Sequence, residues 1–446
     1  MKVALVFIYN NVNKYSIHTL IAASESRSLG LDKYLVGIDE FNELFKYVIN
    51  RYSEVIIALS LMTTQLPRLL NFINYLKGLR SRYGSKVLLV GGGPHVSGDP
   101  LGSLKSLGFD YVFIGEAENS FTEFLHRLIY GGDVKSVKGM AYLEDDEYVF
   151  TGKAEPVDLD LFPPISVESR LFNPIEISRG CPYACKYCQV SYIFGGLMRH
   201  RSVESIIKYC RLLINYGVKD LRFISPNSLA YGGDGRSLNF SALSELLGEL
   251  KKLRNLGGRT YLGTFPSEVR PEFIDREVIK LLKESVSNKR VAIGAQSGSE
   301  RVLRDLGRGH GVDEVLNAVK LLREYGFNVD VDLIFGLPIE GLDDMMASVE
   351  LIRRLLSIEG VKVRIHSYIP LPGTPLFKLG VRELPESIKR ELLKYLGKGM
   401  IFGDWLKQEE LAREIIKLKD LGVIIGVNDI NLRSSNTATL AQHFKL

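Results

Sequence analysis

The stretch Arg179-Gly180-Cys181-Pro182-Tyr183-Ala184-Cys185-Lys186-Tyr187-Cys188 places three of the chain's four cysteines within eight residues, spaced C-x3-C-x2-C. Three thiolates so close together can hold one metal centre from a single loop. An iron–sulfur cubane normally takes four thiolates, so three leave one iron without a protein ligand. A catalytic metal site keeps such an open position, whereas a structural site closes it.

Outward from this loop, Ile175-Glu176-Ile177-Ser178 reads as a short strand running directly into the cysteines. Ser202 then caps a helix with apolar Val203, Ile206, Ile207, Cys210, Leu213 and Ile214, the three–four spacing of one buried face. The fourth cysteine, Cys210, belongs to that face and reads as a small core residue. Strand-then-helix units follow: strands at 221–224, 259–263, 290–294, 329–335 and 362–365, with helices at 242–253, 276–283, 312–325 and 345–356. Six β/α repeats predict a complete or partial barrel whose functional residues lie in the loops at the strand ends. His310, His366 and Tyr368 fall near the expected mouth, where packing or solvation is the simpler reading of each. The residues after Glu410 contain a helix and the apolar run Gly422–Gly426, to which the sequence assigns no role.

Upstream, short apolar runs alternate with amphipathic stretches. Val3–Tyr9, Val55–Ser60, Lys86–Val90 and Tyr111–Ile114 read as buried strands, and 66–79 and 120–129 as helices. Continuous apolar strands separated by helices indicate βαβ units and a parallel sheet. Ligands of such sheets sit at the strands' carboxyl ends. Here those ends carry Tyr9-Asn10-Asn11, Ser60-Leu61-Met62-Thr63, Gly91-Gly92-Gly93-Pro94-His95 and Gly115-Glu116. The glycine triplet admits a closely approaching group or simply makes a tight turn. Met140–Leu143 and Tyr148–Phe150 flank a charged turn and read as a hairpin, followed by a proline-punctuated stretch. The resulting division is 1–139, a linker with hairpin over 140–170, a barrel over 171–395 and an extension over 396–446.

At 446 residues the chain is long enough for two cores. Hydrophobic residues make up 46% and charged residues 24%, an ordinary globular balance, and the net charge of +5 is spread without a basic block. That charge permits an anionic partner without arguing for nucleic acid. Four cysteines, three of them clustered, form no disulfide framework and point to a reducing compartment with a metal or redox site. The opening Met1–Tyr9 lacks the apolar core and cleavage site of a signal peptide, and no run reaches the roughly 18 apolar residues of a membrane span. The expectation is a cytoplasmic protein without stable membrane insertion.

The loop at the end of the first barrel strand resembles the radical S-adenosylmethionine (SAM) signature, C-x3-C-x-aromatic-C. The resemblance implies that Cys181, Cys185 and Cys188 each hold one iron of a [4Fe–4S] cluster, and that the fourth iron chelates SAM. An electron, from a partner such as ferredoxin or flavodoxin, then splits the sulfur–carbon bond to give a 5′-deoxyadenosyl radical. Tyr187 stands in the aromatic position near the adenine. Weaker motifs follow in order: Ser225-Pro226-Asn227, which lacks the G-G-E-like wording common there; Thr264-Phe265-Pro266-Ser267-Glu268-Val269-Arg270-Pro271; Gln296-Ser297-Gly298-Ser299; Asp332 to Glu340, similar to a G-x-I-x-G-x-x-E adenine element with Gly336 and Glu340 in place; and Pro370–Pro375. The resemblance thus implies SAM contacts from Tyr187, Ser225, Asn227, Ser267, Glu268, Arg270, Gln296, Gly336 and Pro338.

Residues 1–139 resemble the flavodoxin-like cobalamin-binding domain, with Ser60-Leu61 and Gly91-Gly92 at the places that line the nucleotide tail. Tyr9, Ser60, Leu61, Gly91, Gly92 and Gly93 are the implied cobalamin contacts. The D-x-H-x-x-G motif that supplies a histidine to cobalt is absent; the first loop reads Asn10-Asn11-Val12-Asn13-Lys14-Tyr15-Ser16-Ile17-His18. Cobalamin without a histidine ligand, or a vestigial domain, both remain open. The combined architecture resembles the cobalamin-dependent (class B) radical SAM enzymes, most of which methylate unactivated carbon or phosphorus; some rearrange or cyclise instead. The barrel motifs also resemble methylthiotransferases, which carry three further cysteines in an N-terminal domain, whereas residues 1–170 contain none. A non-enzymatic protein with structural zinc on the triplet plus Cys210 or His200 is the alternative of a different class, and it leaves the ordered SAM motifs unexplained.

Overall fold

The computed structural model describes residues 2–426. Among the described residues the chain divides into two compact units: one made of residues 2–172, 371–377 and 414–426, the other of 173–370 and 378–413.

The first unit is built on β1 (Val3–Ile8), β2 (Asp32–Val36), β3 (Glu54–Ser60), β4 (Val87–Gly92), β5 (Tyr111–Phe113), β6 (Met140–Glu144) and β7 (Glu147–Phe150), in the spatial order β2-β1-β3-β4-β5-β6-β7. The first five are parallel and the last two antiparallel. Order 2-1-3-4-5 is the flavodoxin-like winding, whose ligand crevice opens where the strand order reverses, between β1 and β3. β1 is buried at all six positions because helices cover both faces of a parallel sheet. Val3, Leu5, Phe7, Ile56, Ala58, Val90, Phe121 and Phe124 form one core cluster. β2 escapes a sequence reading because Asp-Lys-Tyr-Leu-Val is a half-exposed edge strand with no continuous apolar run. The hairpin expected within the linker instead continues the sheet: Met140 and Ala141 pair with Phe113 and Val112. Its turn residues Asp145 and Asp146 both adopt positive φ, the geometry a two-residue hairpin turn demands.

The second unit carries β8 (Ile175–Glu176), the short β9 (Ser178–Arg179) and β10 (Arg199–His200), then β11 (Asp220–Ile224), β12 (Arg259–Tyr261), β13 (Arg290–Gln296), β14 (Asn328–Phe335), β15 (Val361–Ser367) and β16 (Ile401–Phe402). β8, β11 and β12 form one parallel sheet and β13 to β16 another. A parallel bridge between Val269 and Ile293 joins them, so the strands run in sequence order as a partial barrel with β8 and β16 at its edges. β16 lies inside the stretch expected as a C-terminal extension and adds a strand beyond the six read from sequence. On β14, fully buried Val329, Val331, Leu333 and Phe335 alternate with Asp330, Asp332 and Ile334. Arg364 of β15 reaches Asp332 (2.8 and 2.5 Å) and Glu268 (3.3 Å), so the polar set lines the concave side. Among the described residues no helix is long and apolar enough to cross a membrane.

Candidate active site

The cysteine loop is a closed excursion from the barrel. β9 and β10 pair antiparallel and clasp its two ends, Arg179 opposite Arg199 and Ser178 opposite His200. Gly180 sits at φ +91°, and a Cβ there would meet the Leu197 carbonyl oxygen at 2.1 Å, so only glycine permits the closure. Inside the loop the Cys181 amide donates to Gly195 O (3.1 Å) and the Cys188 amide to Cys185 O (2.8 Å). Ser191, on the short helix Val190–Phe194, donates its hydroxyl to Cys181 O (2.6 Å) and accepts from the Ala184 amide (3.1 Å).

All three thiols are free, Cys185 buried and Cys181 and Cys188 half-buried. Burial pushes the Cys188 thiol up to about 12, and the neighbouring Cys185 and Cys181 sulfurs push the same way, so the three thiols stand close enough to repel as thiolates. Such a set is made for a cationic centre that offsets the repulsion. No group of three His, Cys, Asp or Glu side chains among the described residues is placed to hold a single ion. A cubane asks for something else, one thiolate per iron, and the donor set fits it. The zinc alternative loses its fourth ligands. Cys210 is wholly buried on the helix Val203–Asn215 with Ile206, Ile207 and Leu213. Both ring nitrogens of His200 are engaged, by Ser178 Oγ (2.9 Å) and Gly233 O (2.8 Å).

Around the loop stands a group that the sequence reading did not single out. Buried Arg308 donates to Cys185 Sγ (3.6 Å), Tyr187 Oη (3.1 Å), Gly294 O (2.7 Å) and His310 Nε2 (3.2 Å). Burial and the Arg308 and Arg270 guanidiniums hold His310 down to about 3, so it is a neutral acceptor. Gly307 and Gly309, both at positive φ, flank Arg308 and were the available signal. Tyr187 is half-buried, and its hydroxyl accepts from Arg308 as given. Of the other expected SAM contacts, the loops after β11 and β12 bring several together: Ser225 N donates to Pro266 O (3.3 Å), Ser228 N to Glu268 O (3.3 Å) and Arg270 N to Asn227 Oδ1 (3.4 Å). Ser225 Oγ, Asn227 Nδ2, Ser228 Oγ and Thr264 Oγ1 are buried there with no hydrogen-bond partner. Buried polar groups are ordinarily satisfied, so this cluster of open valences at barrel strand ends fits a polar ligand such as SAM. Ser267 differs: its hydroxyl is engaged by Thr264 O (2.9 Å) in its own turn. Gln296 ends β13 with φ +77° at a register shift. Gly336 and Pro338 lie after β14, where a Cβ on Gly336 would meet Arg382 O at 2.8 Å, so the chain itself occupies that approach. Glu340 closes this turn by accepting from the Leu337 amide (2.9 Å), and burial pushes its carboxyl up to about 8. Burial likewise holds His366 down to about 4, beside Gln408.

In the first unit, the loops at the carboxyl ends interlock. Asn13 Nδ2 donates to Ile8 O (2.9 Å) and Ser60 O (3.3 Å), Leu61 N to Gly92 O (2.9 Å) and His95 N to Leu61 O (2.9 Å). Tyr9 stacks on His18 and shares a 3.0 Å hydrogen bond with it. A Cβ on Gly91 would strike the Phe109 ring (2.9 Å), and one on Gly93, at φ +89°, would strike Ser60 Oγ (2.7 Å) and Leu61 (2.9 Å). Gly92 alone is open, with nothing nearer than Phe113 Cβ at 3.8 Å. The glycines at 91 and 93 therefore serve internal packing, and Gly92 is the cradle a Cβ would fill. One backbone cradle beside Ser60 and Leu61 fits a corrinoid tail.

Residues 175–352 match the radical SAM superfamily and residues 19–125 the B12 binding domain. The chain is 28% identical over 263 residues to the tRNA-2-methylthio-N(6)-dimethylallyladenosine synthase of Sulfurihydrogenibium sp. strain YO3AOP1, covering 58% of this chain and 57% of that protein. It is 27% identical over 309 residues to an uncharacterized methyltransferase of Pyrococcus horikoshii, covering 66% of this chain and 63% of that one. The chain thus spans only 57% and 63% of the lengths of these curated relatives. Its fold is similar to that of the radical SAM methyltransferase TsrM from Kitasatospora setae, solved with cobalamin and a [4Fe–4S] cluster (TM-score 0.67, 16% identity, 84% of this chain and 77% of that one). The chain thus carries a radical SAM domain and a B12-binding domain. The first domain implies a [4Fe–4S] cluster and SAM, the second cobalamin.

Proposed function

We propose that the protein is a cobalamin-dependent radical SAM methyltransferase acting on a carbon that offers no nucleophile. The observation that carries this reading is the distribution of thiols. All four cysteines lie between 181 and 210, three in the loop and one in a helix core, so the flavodoxin-like unit has no ligands for a second cluster. Sulfur insertion, the chemistry named for one relative, would require them. When bound, the cluster with SAM supplies one-electron chemistry and the corrinoid a transferable methyl group. The chain's own residues prepare the places for both. Cys181, Cys185 and Cys188 would hold three irons; Arg308 places a fixed positive charge against Cys185 and Tyr187, and charge beside a ligating sulfur tunes a cluster's potential. Ser225, Asn227, Ser228 and Thr264 offer SAM hydrogen bonds that no protein group fills. Ser60, Leu61 and Gly92 would border the corrinoid tail. A reductant such as ferredoxin or flavodoxin completes the set.

The test is anaerobic reconstitution with iron, sulfide and hydroxocobalamin, followed by incubation with dithionite and methyl-labelled SAM. The reading expects about four irons, one corrinoid, 5′-deoxyadenosine and label on the corrinoid. Cluster and 5′-deoxyadenosine without corrinoid uptake would defeat the methyl-transfer reading and leave a radical SAM enzyme with a vestigial domain.

A further inference from the structure

Arg270 enters the account as an expected SAM contact, yet its surroundings describe a different task. The side chain is 7% exposed and lies in the loop after β12. Its guanidinium carbon is 3.3 Å from the centre of the Tyr183 ring, and Tyr183 stands between Cys181 and Cys185. Its Nε donates to Glu272 Oε1 (2.6 Å) and its Nη2 to the carbonyl of Arg308, the residue whose own guanidinium meets Cys185 and Tyr187. On the outer side Arg236 completes the hold on Tyr183, 5.3 Å from the ring and donating to Pro182 O (2.7 Å). A Cβ on Gly309 would meet Tyr183 Cε1 at 2.9 Å, so the loop after β13 closes on the ring as well. The Lys186 amide on Leu306 O (3.1 Å) continues the same seam.

We infer that Arg270 is a positioning residue: it clamps the cysteine loop through the face of Tyr183 and fixes the Arg308 backbone. It acts on the cluster site through these two neighbours and does not hold SAM. The physical basis is specific to arginine. A flat guanidinium can stack on an aromatic face while donating in its own plane, which a lysine ammonium cannot do. Glu272 beside it keeps the fork oriented and offsets its charge. This inference rests on the cluster assignment given under the proposed function.

The experiment compares wild type with Arg270→Lys, Tyr183→Leu, the double variant and Tyr183→Phe, each reconstituted anaerobically and followed by iron release to a chelator, by reduction potential and by equilibrium SAM binding. The clamp predicts that Arg270→Lys and Tyr183→Leu each speed iron release about tenfold and shift the potential in the same direction. The double variant should be no worse than the worse single one, because both remove one contact, and Tyr183→Phe, which keeps the ring face and loses only the hydroxyl's contacts with Glu272 and Arg270, should lie closer to wild type than Tyr183→Leu. Tyr183→Leu changes a half-buried loop residue and keeps the test alive should Arg270→Lys fail to fold. SAM dissociation constants should change by no more than about twofold. Wild-type iron release and potential in Arg270→Lys, with SAM binding weakened tenfold or more, would overturn the inference and make Arg270 a SAM ligand. Wild-type protein that takes up no cluster would instead defeat the cluster assignment, before any variant is compared.

Discussion

The carboxyl ends of the two parallel sheets do opposite things with their loops. In the flavodoxin-like unit the loops close on one another: backbone joins Leu61 to Gly92 and His95 to Leu61, and the space beside Gly91 and Gly93 is filled by Phe109, Ser60 and Leu61. In the barrel unit the loops leave the hydroxyls of Ser225, Ser228 and Thr264 and the Asn227 Nδ2 buried without partners. The two sets of strand ends therefore present different surfaces. One offers a backbone surface open at Gly92, with the ring nitrogen His95 Nε2 as its one buried unpartnered group beside Leu61 among the described residues. The other offers directed hydrogen-bonding groups that remain unsatisfied until something polar arrives.

The sharpest way to break that contrast is at the cysteines. Cys181→Ala, Cys185→Ala or Cys188→Ala should each abolish cluster retention and reductive SAM cleavage, read by iron analysis and chromatography of 5′-deoxyadenosine. Cys210→Ala should keep both, since its thiol lies within a helix core. Next in size is the glycine pair. Gly93→Ala forces a side chain into a left-handed residue against Ser60 and Leu61 and should destabilise the first unit by about 1–3 kcal/mol in chemical denaturation. Gly92→Ala should leave the melting curve alone and weaken corrinoid binding, read by visible titration. If both variants lose stability and neither loses corrinoid selectively, Gly92 is a packing glycine like its neighbours. In the barrel, Ser225→Ala removes a buried hydroxyl that no protein group uses. It should cost little stability and weaken SAM binding about tenfold.

A further effect is a pH dependence. Burial holds the Glu340 carboxyl up near 8, well above the usual carboxylate value. Below that usual value the proton is bound in both folded and unfolded chains. Between it and about 8 only the folded chain keeps the proton, so stability falls as pH rises through that window and levels off above it. Glu340→Gln should flatten this slope in thermal melts, while an unchanged slope would show that Glu340 ionises freely.

The sequence revealed the parts whose physics is local. The cysteine spacing, the apolar runs of β1, β3 and β4 and the helical face holding Cys210 are all patterns within a few residues. What it concealed depends on distant neighbours. β2 is a polar edge strand recognisable only by its pairing with β1, and β16 is two residues long. The hairpin at 140–150 is visible as a hairpin, but its place at the sheet edge is set by pairing with Val112 and Phe113. Arg308 lies more than a hundred residues from the cysteine it touches, in a loop whose glycines gave the only local sign. The same limit explains the glycine triplet. Its three members look equivalent in sequence, and only the packing of Phe109 and Ser60 separates them.

In the proposed holoenzyme one chain holds a single cluster in the barrel and a corrinoid in the unit before it in sequence. The direct measurement is iron and corrinoid stoichiometry on anaerobically reconstituted protein, by elemental analysis for iron and cobalt in the same sample. About four irons and one cobalt per chain are expected. A second cluster's worth of iron, or a full cluster with no cobalt, would contradict it.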